Sequence, residues 1–267
     1  MNKDEKDEII KKREYLVVKG NELIQKNRFE LKLAEQKTIA YICSMIEPVK
    51  INGNVNEISY QLDYEFNIRD YCKICGLNYN NGKNYADIKA TLKHLSDRSM
   101  WVVFDAAPNE EVLCRWLSKV RFNKKSGIVN IRIDEDLVPY LFDLKQKFTQ
   151  YQLQNILAMK SVFSIRVYEL LKSFAYQRTK TFILEELKQL LMVDAVKSYK
   201  DFSLFRKKVL ETAKNEINEL TDLTIDYEPI KKGNKVVKIN FMIQQKTPME
   251  RLLAGATAND RLDNITK

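Results

Sequence analysis

Histidine is almost absent: His94 stands alone in a chain of 267 residues. A zinc site built on several imidazoles, or a paired-histidine metal centre of the kind that nicks DNA, cannot be assembled from it. Glycine and proline are also scarce, at 7 and 5 residues. So few breakers suit long helices and short turns better than a loop-rich barrel or a glycine-lined nucleotide pocket. Four cysteines are too few for a secreted disulfide framework in a chain of this length, and reduced thiols in cytoplasm are expected. No apolar run approaches the roughly 18 residues that span a bilayer. The opening Met1-Asn2-Lys3-Asp4-Glu5-Lys6-Asp7 is charged and lacks the apolar core of a signal peptide. The sequence thus reads as cytoplasmic, with no membrane partner.

What is present describes a globular protein. Hydrophobic residues make up 45% and charged residues 30%, with 13 Tyr and 12 Phe, which excludes a disordered polyelectrolyte. The length allows one large domain or two small ones. The net charge of +9 favours a polyanionic partner, and its distribution is uneven. Residues 1–144 carry 23 basic and 22 acidic residues; residues 145–246 carry 19 and 11; residues 247–267 carry 3 and 3. The excess belongs to the second half, so a nearly neutral first half suits self-association and a basic second half suits nucleic acid.

Periodicity divides the chain into two runs of the same order. After a charged N-terminal tail, residues 1–14, Tyr15 to Val18 reads as extended. A helix follows with Leu33, Ile39, Ile42, Cys43 and Ile46 at helical spacing, stopped by Pro48. Ile58 to Leu62 reads as a short strand, Phe66 to Cys75 as a short helix closed by Gly76, and Asn84 to Arg98 as a third helix with Ile88, Leu92 and Leu95 on one face. Met100 to Phe104 begins extended structure. Val112, Cys114, Trp116, Val120 and Phe122 then alternate on even positions, and Val129, Ile131 and Ile133 on odd ones after Ser126-Gly127: a hairpin.

The second run starts with a long helix predicted from Asn155 to about Phe174. A shorter helix covers Leu184 to Met192, and a third, N-capped by Asp201, runs to about Leu220. Two strands turn at Lys231-Lys232-Gly233-Asn234. Helices ending in a hairpin, twice, predict an α+β fold of two tandem winged-helix domains, 15–143 and 144–247. Asp143 to Thr149 is the expected joint, and residues 248–267, with Ala254-Gly255-Ala256-Thr257-Ala258, read as a flexible C-terminal tail.

The third helix of the second run has the makings of a recognition helix. At 100° per residue, Phe202, Phe205, Val209, Ala213, Ile217 and Leu220 share one apolar arc, while Ser203, Lys207, Lys208, Lys214 and Asn215 lie away from it. Arg206 sits at the arc's edge, where its long side chain can still reach outward. Lysine offers a mobile charge to phosphate, arginine can grip guanine O6 and N7, and asparagine can pair with adenine. An ordinary solvated helix face is the competing account, and Glu211, in the middle of the supposed DNA face, counts in its favour. Two flanking clusters extend the basic surface: Lys197-Ser198-Tyr199-Lys200 just before the helix, and Lys231, Lys232 and Lys235 at the hairpin tip, suited to phosphate or minor-groove contact.

Other patterns carry less. Cys72 and Cys75 have CxxC spacing, and Cys43 and Cys114 could complete four thiolates, but no second close pair exists and buried thiols are the better reading. Gly76 to Asn84 is one residue too long for a phosphate-binding loop and has Asn84 where Ser or Thr should hold magnesium. No cofactor and no metal are expected. Acidic pairs such as Glu185-Glu186 sit at helix starts, where the dipole favours them without catalysis.

Four segments resemble the iteron-binding, RepB-type replication initiators of theta-replicating plasmids: residues 16–24 and 31–37 in the first half, residues 164–171, and residues 205–210 with 215–218 in the second. The resemblance spans about residues 15 to 245 and departs from the family at Gly20. It implies two winged helices, the first mainly for dimerisation and the second for major-groove reading of repeated origin sites. It also implies that monomers open the origin while dimers repress it. It carries DNA contact onto Arg206, Lys207 and Lys208, and places Ser164 and Arg166 near the DNA backbone; for Arg166 an ion pair with Glu169 or Glu185 is the structural alternative. The expected function is therefore a non-enzymatic plasmid replication initiator that binds iterons in double-stranded DNA as a homodimer or monomer. A host replication initiator and the replicative helicase are candidate further partners. A winged-helix transcriptional repressor is the alternative within DNA binding, and a DNA-cleaving initiator or a pure interaction module the alternatives outside it.

Overall fold

The computed structural model describes residues 3–46, 60–77, 82–104, 107–142, 144 and 147–265. The chain opens with helix α1 (Lys3–Arg13), strand β1 (Leu16–Gly20) and helices α2 (Asn21–Gln25) and α3 (Leu33–Cys43). The Glu35 carboxylate accepts the Lys32 backbone N–H at 2.9 Å and so satisfies a donor at the start of α3. Strand β2 (Asp63–Asn67) leads into α4 (Ile68–Cys75), whose N-cap Asn67 accepts from the Arg69 N–H at 2.8 Å. Gly76 ends α4 at φ +68°, a left-handed conformation that suits glycine. Helix α5 (Gly82–Asp97) follows, then the hairpin of β3 (Ser99–Phe104) with β4 (Ala107–Arg115) and the hairpin of β5 (Leu117–Phe122) with β6 (Ile128–Ile133).

Beyond α6 (Val138–Leu141), strand β7 (Phe148–Gln152) returns to pair antiparallel with β1, Val17 opposite Tyr151. The second module comprises α7 (Gln154–Leu157), α8 (Val162–Lys172), β8 (Thr179–Ile183), α9 (Leu184–Leu190), and a helical run of α10 (Phe202–Phe205), a π turn (Arg206–Leu210) and α11 (Glu211–Leu220). Strands β9 (Leu223–Lys232) and β10 (Lys235–Gln245) and a final helix α12 (Pro248–Ile265) complete it. The two three-stranded sheets have the same plan, β2-β6-β5 in the first module and β8-β10-β9 in the second. In each, the strand before the second helix pairs with the last strand of the wing. The fold is α+β with two winged helices, as the periodicity predicts.

Several elements differ from expectation. The alternation from Val112 to Phe122 is two strands, because the chain turns at Trp116, which is buried. The predicted long helix is broken between Leu157 and Val162, where the Ser161 hydroxyl accepts from Phe163 and Ser164 N–H and starts α8 afresh. Strand β2 begins at Asp63, after the predicted Ile58–Leu62, of which residues 58 and 59 lie outside the described residues. Of the expected joint, residues 143, 145 and 146 also lie outside them, while Phe148 and Thr149 belong to β7.

Neither end of the chain is a loose tail in its described part. Arg13, at the end of α1, is buried and donates to the carbonyls of Ile74 (2.8 Å) and Lys73 (3.0 Å), to Asn259 Oδ1 (3.0 Å) and to Asp263 Oδ1 (3.0 Å). Helix α12 buries Ala254, Ala258 and Leu262. The small residues that suggest slack allow close approach instead: a Cβ on Gly255 would stand 3.0 Å from Gln154 Nε2. Asn259 donates to Gln154 Oε1 at 2.9 Å, and Arg261 pairs with Glu219 at 2.6 Å. The last helix thus ties α1 and α4 of the first module to α7 and α11 of the second.

Candidate nucleic-acid interface

The helical run 202–220 begins where Asp201 Oδ1 accepts the Ser203 N–H at 2.8 Å, satisfying one of the orphan donors of a helix N-terminus. At its other end the Lys246 ammonium donates to the carbonyls of Asn218 (2.5 Å) and Thr221 (2.9 Å), a cation placed where the helix dipole favours one. Phe205, Val209, Ala213, Ile217 and Leu220 are fully buried, and α11 packs against α8 and β9. Leu210 is buried as well, because the π turn takes in one extra residue and brings both Val209 and Leu210 to the core.

Ser203, Arg206, Lys207, Lys208 and Asn215 are exposed on the opposite face, as the helical arc predicts. Lys214 is half-buried, its Nζ 2.5 Å from Asp226 Oδ1 on β9. The Asp226 carboxyl is held below its usual range first by that hydrogen bond and then by the Tyr227 N–H. Lys197, Ser198 and Lys200 are exposed in a 3-10 turn just before the helix. Tyr199 of the same turn points its ring inward, edge-on to Phe163 (6.3 Å) and Phe205 (6.1 Å), and anchors the turn. At the wing tip Lys231, Lys232 and Lys235 are exposed around Gly233, which takes φ +63° in open space. Lys197, Lys200, Lys207, Lys208, Lys231, Lys232 and Lys235 form no ion pair among the described residues. They leave the third helix, the turn before it and the wing tip with uncompensated positive charge.

Two expected contacts are elsewhere. Ser164 and Arg166 are both buried on α8, so neither can touch a DNA backbone outside the protein. The Arg166 guanidinium donates to the carbonyls of Asn27 (2.9 Å) and Leu190 (3.3 Å) and lies 4.5 Å from the Phe29 ring centroid. Burial pushes it down to about 10, against the pull of Glu169, so it stays charged at neutral pH. The proposed ion pairs of Arg166 are replaced by these carbonyls. Glu169 instead meets Lys19 of β1 at 2.7 Å, both buried, and accepts from the Tyr151 hydroxyl at 2.5 Å. The family-like segments 16–24 and 164–171 therefore form a seam between β1, β7 and α8.

Glu211, which reads as a liability on a DNA face, has a definite place. Its Oε1 accepts from the Tyr227 hydroxyl at 2.6 Å and from Arg206 Nε at 3.2 Å, and Arg206 Nε also lies 3.2 Å from the Tyr227 hydroxyl oxygen. Those hydrogen bonds, Tyr227's first and despite some burial, hold the Glu211 carboxyl below its usual range. Burial and the Glu211 carboxylate push the Tyr227 phenol up to about 12. Sequence periodicity alone does not reveal Glu211 and Tyr227 as partners, since the π turn and the pairing of β9 bring them together. Cys43, Cys72, Cys75 and Cys114 are free and buried, as expected of packing thiols. Among the described residues no group of His, Cys, Asp and Glu is arranged to hold a metal ion, and no helix is long and apolar enough to cross a membrane.

Two modules with the same winged-helix sheet plan, the second exposing lysines on its third helix, on the turn before that helix and at the wing tip, define a double winged-helix DNA-binding protein. The family described as Initiator Replication protein, WH1, matches residues 16–172, and its companion described as Initiator Rep protein, WH2, matches residues 183–243. The chain belongs to this family of replication initiator proteins. It is similar to a replication initiation protein of Escherichia coli, 23% identical over 242 residues, covering 89% of this chain and 72% of that one. It is also similar to an uncharacterized 27.6 kDa protein of Escherichia coli, 23% identical over 205 residues and covering 72% of this chain and 80% of that one. Among solved structures the Pi initiator protein, crystallised in complex with iteron DNA, shares the fold with a TM-score of 0.67 at 18% identity, over 88% of this chain and 98% of that one.

Proposed function

We propose that this initiator binds repeated origin sites in double-stranded DNA through its second winged helix and opens adjacent DNA by binding energy, in the cytoplasm and without a catalytic step of its own. The observation that carries the reading is the exposed face of the 202–220 helix, with Ser203, Arg206, Lys207, Lys208 and Asn215 opposite the buried Phe205, Val209, Ala213, Ile217 and Leu220. The lysines of the preceding turn and of the wing extend it. Family membership and the Pi initiator's complex with iteron DNA support it. In this reading the lysines meet phosphates and set affinity, while Arg206 and Asn215 read base edges. Bending and local melting of A·T-rich DNA is the step that such binding energy can drive. The first winged helix, charge-balanced and rich in strands, is the proposed dimerisation module.

Footprinting on DNA flanking the gene tests this directly. Protection of tandem direct repeats is the expected result, and protection of a single palindrome would favour a repressor. Incubation of supercoiled DNA carrying those repeats with magnesium or manganese should leave it unnicked; a covalent adduct on a tyrosine would overturn the non-catalytic part.

A further inference from the structure

Arg206 and Glu211 are five residues apart, and on a regular α-helix they would point about 140° away from each other. They meet because residues 206–210 form a π turn: the Glu211 backbone N–H donates to the Arg206 carbonyl, closing an i to i+5 ring. Thr212 Oγ1 reaches the Lys207 carbonyl at 3.4 Å with the same spacing. Residues five apart are thereby stacked on one face, and Tyr227 from β9 closes the group. π turns inside α-helices recur at functional sites, and here one changes which side chains share the outer face.

The outcome is a closed set of hydrogen bonds on one side of a guanidinium. Arg206 Nε is shared between Glu211 Oε1 and the Tyr227 oxygen, each at 3.2 Å, while the Tyr227 hydroxyl donates to Glu211 at 2.6 Å. The Tyr227 ring is buried against Phe241, 5.9 Å between centroids, whereas the Arg206 side chain is 55% exposed. The two terminal amino groups of Arg206 make no hydrogen bond among the described residues. They are the fork that can reach guanine O6 and N7 together. A free arginine loses much rotamer freedom on making such a contact; one already held at Nε loses less.

We propose that Glu211 and Tyr227 are positioning residues that hold Arg206 for end-on recognition of one guanine in the major groove, so that part of the base specificity of this surface resides in a three-residue unit spanning the recognition helix and the wing. This rests on the DNA-binding reading above. It also explains a carboxylate on a phosphate-facing surface: Glu211 lowers general attraction to DNA and raises selectivity.

The test uses the full chain and duplexes that it enriches from a random-sequence pool, with each base pair of the enriched site then varied singly. Glu211→Gln and Tyr227→Phe are each expected to reduce discrimination at one G·C position by about tenfold and leave the other positions unchanged. Glu211→Gln, which removes a negative charge, should leave affinity for scrambled DNA unchanged or raise it. Arg206→Ala should abolish preference at the same position, and adding Tyr227→Phe to it should change nothing further. Melting curves for all variants check the fold, and Tyr227→Phe keeps the buried ring. Unaltered base preference in Glu211→Gln and Tyr227→Phe, or a uniform loss at every position, would overturn the positioning role. Enrichment of a sequence whose preferences Arg206→Ala leaves intact would sink the triad while sparing the DNA-binding reading; no enrichment by the unaltered chain would sink both.

Discussion

In the first winged helix, α5 sets Asp87, Lys89, Lys93 and Asp97 on its exposed face, and Lys93 pairs with Asp97 one turn on. In the second, the helix of the same rank leaves Lys207 and Lys208 exposed without a carboxylate partner among the described residues, while Glu211 is turned onto Arg206 and Glu219 onto Arg261. Both wings are basic at the tip, Lys124 and Lys125 in the first and Lys231, Lys232 and Lys235 in the second. The sheets are ordered alike. The modules differ in where the charge gathers: Lys207 and Lys208 are adjacent and follow the basic turn of Lys197 and Lys200, whereas Lys89 and Lys93 stand between Asp87 and Asp97, and clustered charge of one sign attracts a polyanion better than interleaved charge.

The buried charges of the seam and the exposed charges of the proposed DNA face should respond to substitution in opposite ways. The largest effect belongs to the seam: Lys19→Ala leaves the Glu169 carboxylate buried and unpaired, and should cost about 3 to 5 kcal/mol in urea unfolding. The same pair gives the acid limb of stability a defined sign. Burial raises the Glu169 carboxyl, but Lys19, Tyr151 and Arg166 together bring it below its ordinary value of 4.5. Its contribution is full above that value and is lost as pH falls through the lower folded value. Glu169→Gln should flatten that part of the stability profile; a profile that keeps its slope would assign the acid sensitivity elsewhere.

Two glycines with the same backbone conformation separate the modules next. Gly76 has φ +68° with the Leu262 carbonyl 3.0 Å from where a Cβ would stand, and Gly233 has φ +63° with nothing within 4 Å. Gly233→Ala should cost roughly 1 to 2 kcal/mol, the strain of a left-handed alanine. Gly76→Ala should cost more, since α12 must also shift; equal melting temperatures would show that α12 does not press on α4.

The smallest effect on stability and the clearest on binding come from the helix face. Changing Lys207 and Lys208 to Ala should alter stability by no more than about 0.5 kcal/mol. The plot of log affinity against log salt should flatten by about one unit for each lysine, on cognate and scrambled DNA alike. An unchanged slope would mean that this face is merely solvated. For the division of labour, sedimentation of the intact chain carrying Trp101→Lys and Leu113→Lys, two exposed residues facing each other across β3 and β4, should show weakened dimers with DNA contacts on the second module retained.

Much of this architecture is legible in the residues. The apolar arc from Phe202 to Leu220, the Asp201 cap, the Gly76 stop and the hairpin at Gly233 all rest on local chemistry and appear where it puts them. The break at Ser161 is hidden because apolar residues keep helical spacing across it, from Ile156 and Met159 to Phe163 and Val167. The π turn is hidden for a related reason, since a wheel drawn at 100° per residue assumes the regularity that the turn suspends. Ser164 and Arg166 mislead because a buried arginine that donates to backbone carbonyls through Nε and Nη2 has the same one-dimensional signature as an arginine facing phosphate. Helices α1 and α12 are missed because each makes its specific contacts with distant residues, whose proximity no local pattern records.

The bonds from Arg13 to Asn259 and Asp263 cross some 250 positions of chain. During synthesis the first module emerges long before the helix that completes the surroundings of its buried guanidinium. Until then Arg13 has the carbonyls of Ile74 and Lys73 but not its carboxylate. A nascent chain can thus settle each winged helix as it appears. It cannot close the seal between α1 and α12 until translation has passed residue 263, so a product truncated before that point keeps this guanidinium without its carboxylate.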